Sequence, residues 1–183
     1  MASAFGHAFA AIALGNSFSQ KTTNLKFFTL GVACAIFPDA DVISFAFGIP
    51  YESFWGHRGF SHSLVFALLL GVLISFIFYR KEFATVKGLT HILFFSLCTA
   101  SHGLLDGLTS GGLGVAFFSP FANARYFLPW RPIKVSPIGV SHFFSEWGLQ
   151  VILSELIWIG IPFTIYIISA KLVRKAFDKQ ADI

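Results

Sequence analysis

Two short stretches, HGLLD at residues 102–106 and HFFSE at residues 142–146, each set an imidazole four residues ahead of a carboxylate. On a helix that spacing puts both side chains on one face, where nitrogen and oxygen can converge on a single cation. PDAD at residues 38–41 adds two carboxylates, two apart after a proline, and an extended backbone there would aim Asp39 and Asp41 the same way. HRGFSHS at residues 57–63 supplies His57 and His62, and His7 lies near the amino end. Imidazole mixed with carboxylate suits zinc first, with manganese or iron as alternatives. The nine candidate ligands are His7, Asp39, Asp41, His57, His62, His102, Asp106, His142 and Glu146. They exceed the four ligands of one tetrahedral zinc, so either two or more ions are bound or some residues orient the others.

A divalent ion held this way lowers the pKa of its water from 15.7 toward about 7 and generates hydroxide at neutral pH. Asp39 or Asp41 is the candidate base, the other being a ligand. Arg58, beside His57, is a candidate catalytic and substrate-binding residue, because a guanidinium can hold two phosphate oxygens or neutralise charge developing in a transition state. Arg125 and Arg131, with Lys134, could add an anion-attracting lid. Ser61 is placed to cap a helix beginning at His62. No GxSxG context surrounds Ser61 or Ser63, so no serine nucleophile is implied.

These residues need elements to hold them, and composition says which kind. Hydrophobic residues make up 55% of the 183 and charged residues 12%, about half the globular share, which is the balance of an integral membrane protein. Apolar stretches near residues 4–18, 26–37, 64–79, 88–106 and 147–170 predict an all-α, polytopic bundle of about five membrane helices. A long extramembrane segment over residues 107–146 completes one domain spanning residues 1–183. The last three stretches approach the roughly 20 residues a spanning helix needs, and the first two are short. Pro38 should end the second helix just before PDAD. The amino-terminal stretch lacks a basic leader and is expected to stay in the mature protein. Cys34 and Cys98 lie in apolar stretches as small hydrophobes.

Five helices divide the thirteen lysines and arginines nine to four, with Lys21, Lys26, Arg80, Lys81, Lys87, Lys171, Arg174, Lys175 and Lys179 on one side. That side is expected to be cytoplasmic. All nine candidate ligands then share the opposite, periplasmic or extracellular face, at the depth of lipid headgroups. Ionisable groups near lipid are costly and persist where they pair or serve a function. A lipid or lipid-linked phosphate is therefore the expected substrate class, with membrane lipids as partners. Nucleic acid is not expected, because no basic helix accompanies the net charge of +4. Nothing in the pattern sets an oligomeric state. His91 lies about 16 Å of helical rise below His102 and cannot reach the same ion. Glu155 should face away from Glu146 and make a buried hydrogen bond or helix contact.

The motifs GH at 6–7, PDAD at 38–41, GHRGFSHS at 56–63, SHGLLDGLTSGG at 101–112 and FSPFANARYFLPWRPIKVSPIG at 118–139 together resemble the LexA-regulated, inner-membrane metal-dependent hydrolase family. The resemblance covers most of the chain in order. It implies a multi-pass inner-membrane protein with metal-dependent hydrolase activity, whose ligands fall on His7, Asp39, Asp41, His57, His62, His102 and Asp106. More distantly, the order His, Asp, His, HxxxD, HxxxE is similar to the zinc-dependent phospholipase C and P1 nuclease superfamily. That likeness implies phosphoester hydrolysis, although the superfamily's amino-terminal tryptophan ligand and one of its histidines have no counterpart here.

Two other classes compete. A divalent-metal transporter would place its ligands near the bilayer midplane with access from both sides. A structural metal site would close its coordination sphere and lock the loops.

Overall fold

The computed structural model describes residues 1–19 and 22–181, with side chains at 140, 141 and 176–181 excluded. Lys21 lies outside the described residues, as does the side chain of Lys179. The order of elements is α1 (Ala4–Gly15), α2 (Leu25–Ile36) running on as a 3-10 helix (Phe37–Phe47), α3 (Leu64–Phe78), α4 (Val86–Gly107), α5 (Val140–Phe143), α6 (Glu146–Glu155), a π-helical turn (Leu156–Gly160) and α7 (Ile161–Ala181). Local sequence starts most of these helices. Ser3, Asn24, Ser63, Thr85 and Ser145 stand in extended conformation ahead of α1, α2, α3, α4 and α6, and each accepts a bond from a first-turn amide. The cap of α3 is thus Ser63 and not Ser61. Ser61 instead donates to Asp41 Oδ2 at 2.5 Å.

The fold is an all-helical membrane bundle. Among the described residues there is no β-strand, only isolated bridges pairing Thr109 with Ile133 and Val115 with Tyr126. Leu25–Phe47, Val86–Gly107 and Glu146–Lys175 are long and apolar enough to cross a bilayer. The long rods are therefore the second, fourth and fifth, whereas the sequence pattern placed the third among them and the second among the short ones. Pro38 explains half of this difference. It sits where α2 passes into the 3-10 helix, and its fixed φ suits that helical geometry, so the rod continues through PDAD. α3 ends at Tyr79 after 15 residues, about 22 Å of rise against a hydrocarbon core of about 30 Å.

α4 is the central rod, packed by α1, α2 and α3. Gly71 lets α3 and α4 touch, since a Cβ there would lie 2.7 Å from the Ser96 amide nitrogen. One apolar cluster joins α1 to α4 through Phe27, Phe94, Phe95, Cys34 and Cys98, with the Phe27 and Phe94 rings stacked at 3.8 Å. A second packs Ala2, Ala10 and Leu105 against Ile133 and Ile159. The segment after α4 folds back over the turn at residues 50–63. The Ala116 amide donates to Arg58 O at 3.0 Å and the Leu64 amide to Phe117 O at 3.0 Å.

Candidate metal centre

His62 stands at the middle of the polar cluster, because the 3-10 turn Phe60–His62 drives its ring between the end of α2 and the last turns of α4. Its Nε2 lies 3.0 Å from His102 Nε2, 3.6 Å from Asp106 Oδ2 and 3.7 Å from Asp39 Oδ1. His102 Nε2 lies 3.3 Å from Asp39 Oδ1. Ligand atoms about 2.0–2.1 Å from a tetrahedral zinc stand about 3.3–3.4 Å from one another, and these separations bracket that value. The His102 tautomer suits the role. Its Nδ1–H donates to Ala35 O at 2.6 Å, which leaves the Nε2 lone pair aimed into the cluster.

The cluster also carries unmet demand. Asp39 Oδ1 and both nitrogens of His7 are buried without a hydrogen-bond partner. Such groups cost about 1–3 kcal/mol each when nothing pairs with them. The His7 ring stacks on His102 at 3.7 Å and puts its Nε2 3.5 Å from Asp106 Oδ1. Among the described side chains, the three carboxylates Asp39, Asp41 and Asp106 outnumber the one guanidinium paired with them, Arg58 on Asp106. Burial by itself would strip the proton from His62, but the surrounding carboxylates of Asp106, Asp39 and Asp41 overcome this and hold its pKa up at about 10. Without a metal, therefore, an imidazolium balances part of that charge. The donor set of two imidazoles and two carboxylates could hold a metal ion between Asp39, His62, His102 and Asp106, with His7 alongside.

Asp41 stands apart from that set. On a 3-10 helix successive residues turn by about 120°, so carboxylates two apart point to different sides. The expected parallel pair is not formed for that reason. Asp41 Oδ1 accepts from His57 Nδ1 at 2.6 Å, while Oδ2 accepts from the Arg58 amide at 3.1 Å and from the Ser61 hydroxyl. His62 Nδ1 lies 3.1 Å from the same Oδ2. Four donors match the roughly four lone-pair sites a carboxylate offers. Asp41, His57 and His62 are close enough to hold a cation of their own. The saturation of Asp41 makes them more apt as the support that turns His62 toward His102. Burial holds the His57 pKa below its ordinary value, against the pull of Asp41.

Arg58 does not face outward. It is fully buried with a left-handed backbone (φ 62°), and its side chain donates to Asp106 Oδ2 at 2.9 Å, to Gly111 O at 2.8 Å and to Thr109 Oγ1 at 2.8 Å. A guanidinium bonded and buried in this way anchors Asp106 and the loop after α4, and is turned away from a phosphate at the surface. Arg125 is spent similarly on the carbonyls of His57, Tyr51 and Ser53, at 2.7, 2.8 and 3.1 Å. Arg131 is exposed and lies over the Phe127 ring at 4.5 Å.

His142 and Glu146 are exposed and belong to neither group of converging donors. Their four-residue spacing fails because HFFSE is not one helix. α5 stops at Phe143, Phe144 leaves helical geometry (φ −84°, ψ 58°), and Ser145 is the extended cap of α6. Glu155 is buried, as its helix face suggested, and accepts from both the amide and the hydroxyl of Ser3 at 2.5 Å. Thr109, the partner of Arg58, escaped the sequence reading. Its position three residues beyond Asp106 is the one signal that could have marked it. The Ala35 carbonyl that orients His102 has no side-chain signature at all.

The chain matches the family model described as YdjM inner membrane protein over residues 1–177. It is 41% identical over 157 residues, covering 85% of this chain and 89% of the relative, to the inner membrane protein YbcI of Escherichia coli (strain K12). No solved structure matches it. A match running from the first helix into the last, and taking in every residue of the polar cluster, makes the chain a member of the YdjM inner membrane protein family.

Proposed function

We propose that this chain is a metal-dependent hydrolase that cleaves a phosphoester in a lipid or lipid-linked substrate. The observation that carries the reading is the convergence of Asp39, His62, His102 and Asp106 around buried, unpaired donor atoms. A bound divalent ion supplies Lewis acidity, lowering the pKa of water toward about 7 and stabilising the charge on a leaving oxygen. The chain's own residues do the rest. Asp41 holds His62 by Nδ1, and Ala35 O holds His102 by Nδ1, so both rings keep Nε2 directed inward. Arg58 fixes the Asp106 carboxylate. The side chain of Asp39 is 10% exposed while those of His62, His102 and Asp106 are fully buried. Asp39 is therefore the group nearest solvent, and with its Oδ1 turned into the cluster its other carboxylate oxygen is the proton acceptor.

His102 and Asp106 belong to the last turns of α4, and Asp39 follows the end of α2. The two α4 donors at a helix end support access from one membrane face, which suits hydrolysis, whereas Asp39 lies inside the Leu25–Phe47 rod. The excess of lysine and arginine on the other side supports a periplasmic placement. The distant likeness to phospholipase C and P1 nuclease is weakened, since its last ligand pair, His142 and Glu146, lies outside the cluster.

The deep burial of His7, His102 and Asp106 favours a second reading, a structural metal that locks the loops. One experiment separates the two. Protein purified in detergent is analysed for bound metal, stripped, reloaded with zinc, manganese or iron, and offered phospholipid vesicles and bis(4-nitrophenyl) phosphate. Metal-dependent turnover that His62→Ala abolishes, with the fold retained, supports hydrolysis. Metal that raises the melting temperature without any turnover supports the structural role. If no divalent metal copurifies and none restores activity, the proposal fails.

A further inference from the structure

A furrow opens on the lipid side of the bundle between α1 and the α6–α7 rod. Its upper part, about 420 Å³, is lined by Phe5, Gly6, Phe9, Ile152, Glu155 and Gly160. A second hollow of about 480 Å³ shares Phe9, Leu156 and Gly160 with the first and continues to Thr164 and Ile165. Together they form one apolar trough from Ile152 to Ile165, roughly 20 Å at helical rise. Each part falls in the range of about 300–1,000 Å³ that small-ligand sites occupy. We propose that this trough binds one alkyl chain of a bilayer lipid.

Three observations carry the assignment. The Glu146–Lys175 rod is the least enclosed of the three spanning stretches, only 17% buried, so its outer face meets hydrocarbon and a chain is the occupant the bilayer supplies. The π turn Leu156–Gly160 interrupts the rod at the middle of the trough, and such turns are frequent at functional sites. Gly160 leaves the trough open there, since a Cβ at that position would have no neighbour nearer than 3.7 Å. Near the upper end one buried carboxylate, Glu155, joins the apolar wall to the candidate metal centre. Glu155 accepts from Ser3, and the next residue back, Ala2, donates its amide to Asp106 Oδ1 at 2.7 Å. A lipid with its chain in the trough places its head at this rim, beside the cluster. Extending that placement to substrate recognition rests on the hydrolase reading.

The test uses the full chain in vesicles of phosphatidylglycerol carrying a trace of the same lipid with a diazirine in its acyl chain. After irradiation, adducts are mapped by mass spectrometry. Leu68 and Leu69 of α3 are as exposed as Leu156 and serve as the bulk-lipid reference. Several-fold higher labelling at Phe9 and Leu156 is expected, falling to the α3 level in Gly160→Leu. Equal labelling of α3 and the trough overturns the proposal without any variant, and so does selective labelling that Gly160→Leu leaves unchanged. Metal-dependent turnover is measured on the same samples. Selective labelling with no turnover supports the trough and counts against the hydrolase, whereas turnover with even labelling does the reverse.

Discussion

Replacing His102 by alanine removes one of the four converging donors and tests whether they act as one centre. Sites in which four protein ligands hold zinc gain about 10–16 kcal/mol from the metal, so one donor carries roughly 2.5–4 kcal/mol. At about 1.4 kcal/mol per decade, the dissociation constant should rise about 100- to 1,000-fold. The same change deletes the 2.6 Å bond to Ala35 O and the ring stacked on His7 at 3.7 Å. A buried carbonyl left unpaired costs about 1–3 kcal/mol, so the metal-free melting temperature falls as well. Affinity must therefore be measured by chelator competition at a temperature where circular dichroism shows both proteins folded. His142→Ala is the control, being exposed and outside both donor groups, and should bind metal as the parent does. Parental affinity in His102→Ala, or an equal loss in His142→Ala, would refute the assignment of donors.

Other consequences follow from the same geometry. His62 carries a pKa raised from 6.5 to about 10, so a metal binding near pH 8 must expel close to one proton. Titration calorimetry in buffers of different ionisation enthalpy reads this directly, and zero release contradicts it. Because that pKa is raised in the folded state, its stabilisation is complete below about 6.5 and lost as pH climbs through about 10. The metal-free protein should accordingly melt at lower temperature at pH 9 than at pH 6. Arg58→Met strands Asp106 beside a missing partner and should cost about 3–5 kcal/mol, measured by denaturation in detergent. An effect below about 1 kcal/mol would show that the buried pair is not a framework contact. Asp41→Asn should weaken metal binding about 10- to 100-fold without abolishing it, as expected for a group that orients a ligand. Complete loss would make Asp41 a ligand itself.

The contrast between HGLLD and HFFSE shows where local spacing can be trusted. Both place histidine and acid four apart, yet only the first lies inside one uninterrupted helix, the 22-residue α4. The second is cut at Phe144 by a serine that caps the next helix, and Ser145 could have been read as a start signal. PDAD failed in a related way, since a proline that stops an α-helix can also open a 3-10 turn, and the changed pitch sends Asp39 and Asp41 to different partners. The bundle itself was legible because apolar length is a local property. The fate of Arg58 was not, because its partners Asp106, Thr109 and Gly111 come from about fifty residues away and no local pattern marks a charge as buried. That burial changes the chemistry of the centre. With Arg58 and Arg125 both engaged by the scaffold, a cation held in the cluster would supply most of the positive charge offered to a phosphate, beside the exposed Arg131. Anion affinity should then fall steeply on metal removal.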